Sequence, residues 1–236
     1  MAATLDATRT RVFDLRTTTV RELNQALHDL PEDGPPTHWR VEHAAGDHAV
    51  AVGINTRCTV EIRGHVGYYC AGMNKYAEIT IHGNAATGLA ENMMSGVVRL
   101  RGNASQSAGA TGRGGLLVIE GDAAARCGIS MKGIDIVVKG SVGHLSAFMA
   151  QRGRLVVCGD AGAALGDSLY EARLYVKGRV ADLGADCVEK ELRAEHREEL
   201  AALLAQAGID DDPARFRRYG SARKLYHFNI DHADAY

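Results

Sequence analysis

The chain has 236 residues, a net charge of −2 and 24% charged residues, enough for one large core or two modest ones and without the basic excess of a protein that grips nucleic-acid phosphates. No apolar run reaches the roughly 18 residues of a membrane span, and the opening MAATLDATRTR has no apolar signal core, so a cytoplasmic location is expected. Five cysteines include no C-x-x-C pair, which removes zinc-ribbon and thioredoxin-like readings.

From the N-terminus, Val12–Leu15 reads as a short strand. Thr19-Val-Arg-Glu22 is a capping box opening a helix, whose Val20, Leu23, Leu27 and Leu30 share one face before Pro31 and Gly34-Pro35-Pro36 end it. The stretch around Trp39–Val52 is expected to pair as the first strands of a sheet.

Seven glycines then follow at an unbroken spacing of nineteen: Gly64, Gly83, Gly102, Gly121, Gly140, Gly159 and Gly178. A fixed period held this long marks a solenoid. Two and four residues before each glycine stand apolar side chains, such as Ile79 and Ile81 or Leu155 and Val157, while the residues between them vary. That alternation is a strand with one buried face. The glycine is expected to bend the backbone, at φ > 0. The Asn84, Asn103, Asp122 and Asp160 that follow make turn dipeptides. Nineteen is not a multiple of six, which disfavours left-handed hexapeptide helices, and the G-G-x-G-x-D of calcium-binding rolls is absent. The expected fold is therefore mainly β: a right-handed parallel β-helix of about seven coils over residues 46–190. An N-terminal strand and helix cap it over 1–45, and a short C-terminal helix and arm occupy 191–236.

Side chains in shared slots carry the finer expectations. Ala71, Ala90, Gly109, Gly128, Ala147, Gly166 and Ala185 form a small inward row at a tight corner. Met73, Met93, Met131 and Met149 read mainly as packing. Cys70 and Cys127 share a slot three coils apart, about 14 Å at roughly 4.8 Å per coil, too far for a disulfide. On the outward face Val118, Val137, Val156 and Tyr175 stack into an apolar stripe, a contact surface for a partner subunit or for the chain's own tail. Leu192, His196, Leu200, Leu203, Leu204 and Ala207 then lie at helical spacing, ended by Gly208. The tail beyond is rich in aromatic and basic residues, including Phe216, Arg218, Tyr219, Tyr226 and Phe228. Such enrichment marks interface anchors, so these are expected to clasp another subunit.

The chain has no G-x-S-x-G, no H-E-x-x-H and no Walker loop. The glycine texture recurs on every coil and precedes no helix, unlike a dinucleotide loop. His65, His82 and His144 fall in different slots, so no metal cluster is implied. The chain is expected to carry no catalytic, cofactor or metal residue of its own.

The texture Gly140-Ser-Val-Gly143 and Gly159-Asp-Ala-Gly162-Ala-Ala-Leu-Gly166 resembles the GXGXG β-helix domain that ends the large subunit of glutamate synthase. A related version forms a subunit of formylmethanofuran dehydrogenase. The flanks TTTVRELNQALHDL and RRYGSARKLYHFNIDHADAY are similar to those of the stand-alone β-helix subunit in split glutamate synthase-like complexes, nearest to the one in N-methylglutamate synthase (methylamine–glutamate N-methyltransferase). The resemblance implies a non-catalytic scaffold in a hetero-oligomer with a glutamine-amidotransferase-like subunit and an FMN-binding synthase subunit. The FMN, with or without an iron–sulfur cluster, would belong to that partner. The implied reaction converts methylamine and glutamate to N-methylglutamate and ammonia. Use of glutamine and 2-oxoglutarate is the alternative, and a formyltransferase/hydrolase complex is a third.

Overall fold

The computed structural model describes residues 10–224. Each apolar phrase forms a strand because its alternate side chains can all be buried on one side. Ile79, Ile81, Val98, Leu100, Leu117 and Ile119 are at most 1% exposed. The strands are β1 (Arg11–Asp14), β2 (Thr37–Asp47), β3 (Cys58–Val66), β4 (Glu78–His82), β5 (Val97–Leu100), β6 (Leu116–Ile119), β7 (Lys132–Val138), β8 (Arg152–Val157), β9 (Arg173–Val176), β10 (Cys187–Lys190) and β11 (Arg217–Ser221). They form one sheet in the order β1-β2-β3-β4-β5-β6-β7-β8-β9-β11-β10. From β1 to β9 all neighbours are parallel. The nineteen-residue period sets the register: Ile79 faces Val98, Val98 faces Leu117, and the row runs on through Ile136, Leu155 and Leu174. The chain is thus a parallel β-solenoid of about seven coils. Its ladder begins ahead of residue 46, since β1 already pairs with β2 and Phe13 stacks on Trp39 at 5.5 Å.

The repeated glycines are required for a different reason from the expected bend. Of the seven, Gly64 alone has a left-handed φ, of 119°. What they share is close stacking on the coil before. Gly121 N–H donates to Gly102 O at 3.1 Å, Gly140 to Gly121 at 3.0 Å, Gly159 to Gly140 at 2.8 Å and Gly178 to Gly159 at 3.0 Å. A Cβ on Gly83 would stand 2.2 Å from the Gly64 carbonyl oxygen.

The left-handed backbone lies instead five, seven and nine residues after each of the first six glycines, Gly64 to Gly159. Tyr69, Ala71 and Met73 have φ of 60°, 55° and 55°, and Leu145, Ala147 and Met149 repeat the pattern with 56°, 58° and 52°. The alternation aims successive amides in opposite directions along the solenoid axis. Tyr69 N–H donates to Thr87 O of the next coil, Ala71 N–H to Val50 O of the previous one, and Met73 N–H to Glu91 O of the next. Every second residue of this arc therefore bonds to a neighbouring coil, offsetting the roughly 1–2 kcal/mol that left-handed φ costs a residue with a Cβ. The middle residue of each trio points inward, so Ala or Gly is needed: Ala71, Ala90 and Ala147 are fully buried, and a Cβ on Gly109 would stand 2.5 Å from Ile136 Cδ1.

The residue directly after each glycine builds a polar ladder. Asn84 Oδ1 accepts from Asn103 N–H at 2.8 Å, Asn103 Oδ1 from Asp122 N–H at 2.8 Å, Asp122 Oδ1 from Ser141 N–H at 2.7 Å, Ser141 Oγ from Asp160 N–H at 3.0 Å and Asp160 Oδ1 from Arg179 N–H at 2.7 Å.

Both ends are closed. Helix α1 (Val20–His28) starts on the Thr19/Glu22 capping box, with Thr19 N–H donating to Glu22 Oε2 at 2.7 Å, and buries Leu23 and Leu27. It lies across the first arc, where Asn24 Nδ2 donates to Ala49 O and His28 Nε2 meets Val52 O. At the far end β11 runs antiparallel between β9 and β10, which halts the parallel stack with a strand of opposite direction.

Candidate subunit-contact surfaces

Helix α2 (Ala194–Ala207) forms because Leu200, Leu203, Leu204 and Ala207 fall on one face, and Gly208 ends it at φ 73°. Its N-terminus is capped unusually: His196 Nδ1 accepts from Arg193 N–H at 3.2 Å. Burial, then the nearby Arg218 charge, pull the His196 pKa below its ordinary value. The apolar face of α2 lies on the outward stripe. Val118, Val137, Val156 and Tyr175 are each 0% exposed and pack with the α2 leucines and Phe216. The stripe is therefore filled by this chain's own helix and presents no free face to a separate partner.

Polar contacts fasten the helix at its rim. Glu199 accepts from Tyr175 Oη at 2.7 Å and from Arg173 Nη1, and Arg154 lies 3.7 Å away while also bonding Asp135. Burial and the Glu199 carboxylate together push the Tyr175 phenol well above its ordinary pKa. Lys177 pairs with Asp211, and Arg99 Nη1 donates to the Ala207 carbonyl at 2.6 Å.

The tail residues divide. Phe216 and Tyr219 are 3% and 2% exposed, and Arg218 Nε donates to Glu191 O at 2.9 Å. This stretch clasps the chain's own last coils, because β11 supplies the antiparallel strand that closes the ladder. Tyr226 and Phe228 lie outside the described residues.

Two surfaces stay open. Over β2–β4 no described residue covers the sheet's outward face, which forms a shallow groove of about 440 Å³ lined by His38, Arg40, Thr59, Glu61, Glu78 and Thr80. Its charges are largely spent on neighbours. Arg40 lies 2.7 Å from Glu42, and Glu61 lies 3.2 Å from Arg63. His38 Nδ1 sits 2.5 Å from Thr59 Oγ1. The groove offers no isolated pair of carboxylates for acid–base work.

The second surface escapes a reading of the repeat alone. Tyr68, Tyr69, Met73, Tyr76 and Met94 are all 42–53% exposed and belong to two adjacent coils. Tyr68 stacks on His48 at 4.5 Å and meets Tyr69 edge-on at 6.4 Å, while Lys75 Nζ lies 4.9 Å from the centre of the Tyr76 ring. A signal does exist in the sequence: in these outward slots the next two coils carry Thr87, Gly88, Ser107 and Thr111, before Leu145 and Met149 recur further on, so the run of tyrosines is particular to this coil.

Reactive chemistry is sparse among the described residues. All five cysteines are free and buried, and burial pushes the Cys58, Cys127 and Cys187 thiols up to about 12 and Cys158 to about 11. Thiolates, the nucleophilic and metal-binding form, are therefore suppressed. Among the described residues no three His, Cys, Asp or Glu side chains are placed to hold a metal ion, and no helix is long and apolar enough to cross a membrane.

No family model matches the sequence. Protein GlxC of Rhizobium meliloti (strain 1021) is 62% identical over 226 residues, covering 95% of this chain and 99% of that protein. With identity of that degree over nearly both full lengths, the chain belongs to the GlxC family.

Proposed function

We propose that this protein is the scaffold subunit of an N-methylglutamate synthase complex. It would hold an amidotransferase-like subunit and an FMN-binding synthase subunit in fixed relation. The observation that carries the reading is the use to which the chain is put. One unbroken ladder, with α1 laid over its first arc and β11 reversing strand direction at its last coil, leaves an exposed tyrosine–methionine patch and buries its thiols. The resemblance of the glycine texture and flanks to the GXGXG β-helix subunits is what supports this choice of complex. A rigid rod suits such a role, because transfer of an amine between two active sites gains from fixed geometry and high effective concentration.

The test is affinity purification of the tagged full-length chain from its native host, with a visible spectrum and identification of co-eluting chains. A flavin band and an amidotransferase-like partner are expected, with turnover of methylamine plus glutamate. Turnover of glutamine plus 2-oxoglutarate alone would move the chain to the split glutamate synthase reading. A colourless, partner-free protein would overturn the scaffold role.

A further inference from the structure

The exposed aromatic patch continues into a row of basic residues that have no ion pair among the described residues. Met94 N–H donates to Asn74 O, Arg113 N–H to Met93 O and Lys132 N–H to Gly112 O, while Lys132 and Arg152 are register partners across β7 and β8. Met94, Arg113, Lys132 and Arg152 thus occupy successive coils along one line. All four are exposed. On the strand faces several basic side chains are matched, Arg101 with Glu120, Arg154 with Asp135, Arg173 with Glu199 and Lys177 with Asp211, and the other unmatched ones among the described residues, such as Arg57, Arg126, Lys139 and Arg179, fall in other slots of the repeat. The side chains of Arg113, Lys132 and Arg152 make no ion pair or hydrogen bond among the described residues. The three charges span roughly 10 Å at ordinary strand spacing. The Glu91 carboxylate lies beside Gly88 and the Tyr69 ring.

We infer that this strip is a docking surface for a partner protein chain. The partner would bring an apolar ridge to Tyr68, Tyr69, Met73, Tyr76 and Met94, followed by a run of acidic side chains opposite Arg113, Lys132 and Arg152. The inference rests on the scaffold reading above and specifies where one partner subunit sits. Two features argue for it together. Tyrosine and methionine are the residue types enriched in the desolvated centres of interfaces. A contiguous line of unmatched positive charge is what an acidic segment complements, giving orientation and a faster encounter. The left-handed arc beneath also fixes the aromatic side chains on a backbone bonded to both neighbouring coils, so little order remains to be lost on binding.

The test uses the complex isolated from the native host and the free full-length chain. Hydrogen exchange is compared between the two, and amide protection in the complex should concentrate in residues 68–76, 92–95, 112–114 and 130–133. Two double variants follow, each checked for wild-type circular dichroism. Tyr69→Asn with Met94→Ser, the asparagine chosen because it tolerates left-handed φ, should weaken assembly at least tenfold. Lys132→Glu with Arg152→Glu should slow association and remove its dependence on salt. Val188→Ser, at an exposed residue on β10, should change nothing. A complex that forms with these segments unprotected, or assembles equally well in both double variants, overturns the inference and leaves the scaffold role intact. Absence of any complex overturns both. Tight binding of a labelled single-stranded oligonucleotide by the free chain, lost in the Lys132/Arg152 variant, would overturn it in favour of a nucleic-acid surface.

Discussion

Gly159→Ala tests the claim that the periodic glycines exist for close stacking. The new Cβ would stand 2.5 Å from Ser141 Oγ and 2.7 Å from both the carbonyl carbon and oxygen of Gly140, where ordinary Cβ contact begins at 3.4 Å. The two coils must part locally by roughly 0.7 Å. Three bonds lie across that gap: Gly159 N–H to Gly140 O at 2.8 Å, Cys158 N–H to Val138 O at 2.9 Å and Asp160 N–H to Ser141 Oγ at 3.0 Å. Opening stretches them to the limit of useful geometry. At about 1 kcal/mol each the loss is about 3 kcal/mol, in line with other overpacked sites. For a chain of this size that lowers the melting temperature by about 6–12 °C, read by circular dichroism and by the urea midpoint. Adding Ser141→Ala removes the oxygen contact and leaves the backbone contacts, so it should recover less than half of the loss. A Gly159→Ala protein that melts with wild type would refute the stacking argument. Full recovery by Ser141→Ala would show that the side-chain ladder, not the backbone, excludes a Cβ.

Glu199→Ala removes the acceptor of the Tyr175 phenol and the partner of Arg173; a loss of about 2–3 kcal/mol is expected, with hydrogen exchange accelerated in α2 ahead of the inner coils. The five thiols should be inert to a disulfide reagent in the native protein and react together in urea, because all are buried; rapid native labelling of any one would contradict the packing. His196 has a lowered pKa in the folded state, so the unfolded chain binds its proton first as pH falls. Its contribution is full above the ordinary histidine value of about 6.5 and is lost as pH drops from there through the folded value. His196→Gln should flatten the dependence of melting temperature on pH in that window, and an unchanged profile would contradict the assignment.

Much of the architecture is legible in the sequence because a period is a global constraint. Seven glycines at one spacing fix strand direction and register together, and Ile79, Val98 and Leu117 pair as the period requires. The capping box at Thr19 and the stop at Gly208 are local chemistry and equally readable. What escapes is the reason for residues that suit two roles. Glycine serves a left-handed bend and a close approach alike, and sequence cannot separate them. The left-handed arc escapes because Tyr69, Met73 and Leu145 occupy it, and their side chains carry no sign of that conformation. The stripe of Val118, Val137 and Val156 visibly needs cover; only the fold shows that α2, some forty to eighty residues downstream, supplies it. The tail reads as an arm for another subunit because aromatic and basic residues suit any interface, including one within the chain.

The placement of covers along the rod has a consequence for its use. The C-terminal coils are sealed on the sheet side by α2 and on the end by β11, with Glu199, Asp211 and Arg99 tying the helix down. Among the described residues, the N-terminal coils keep an open sheet face over β2–β4 and an exposed arc from Tyr68 to Met94. These openings lie on different sides of the same coils, since the strand residues and the arc residues are separated by the turn at each glycine. A solenoid whose coils are bonded amide to carbonyl on both sides does not flex much between them, so whatever binds one open side is held at a set angle to whatever binds the other. Under the proposed scaffold role, a loosely tethered pair of partners would lose that angle, and with it the gain that fixed geometry gives transfer between sites. The left-handed φ of the arc is tolerated because its alternate residues, Tyr69, Ala71 and Met73 in the first coil, donate to the neighbouring coils, and those bonds resist sliding of one coil on the next.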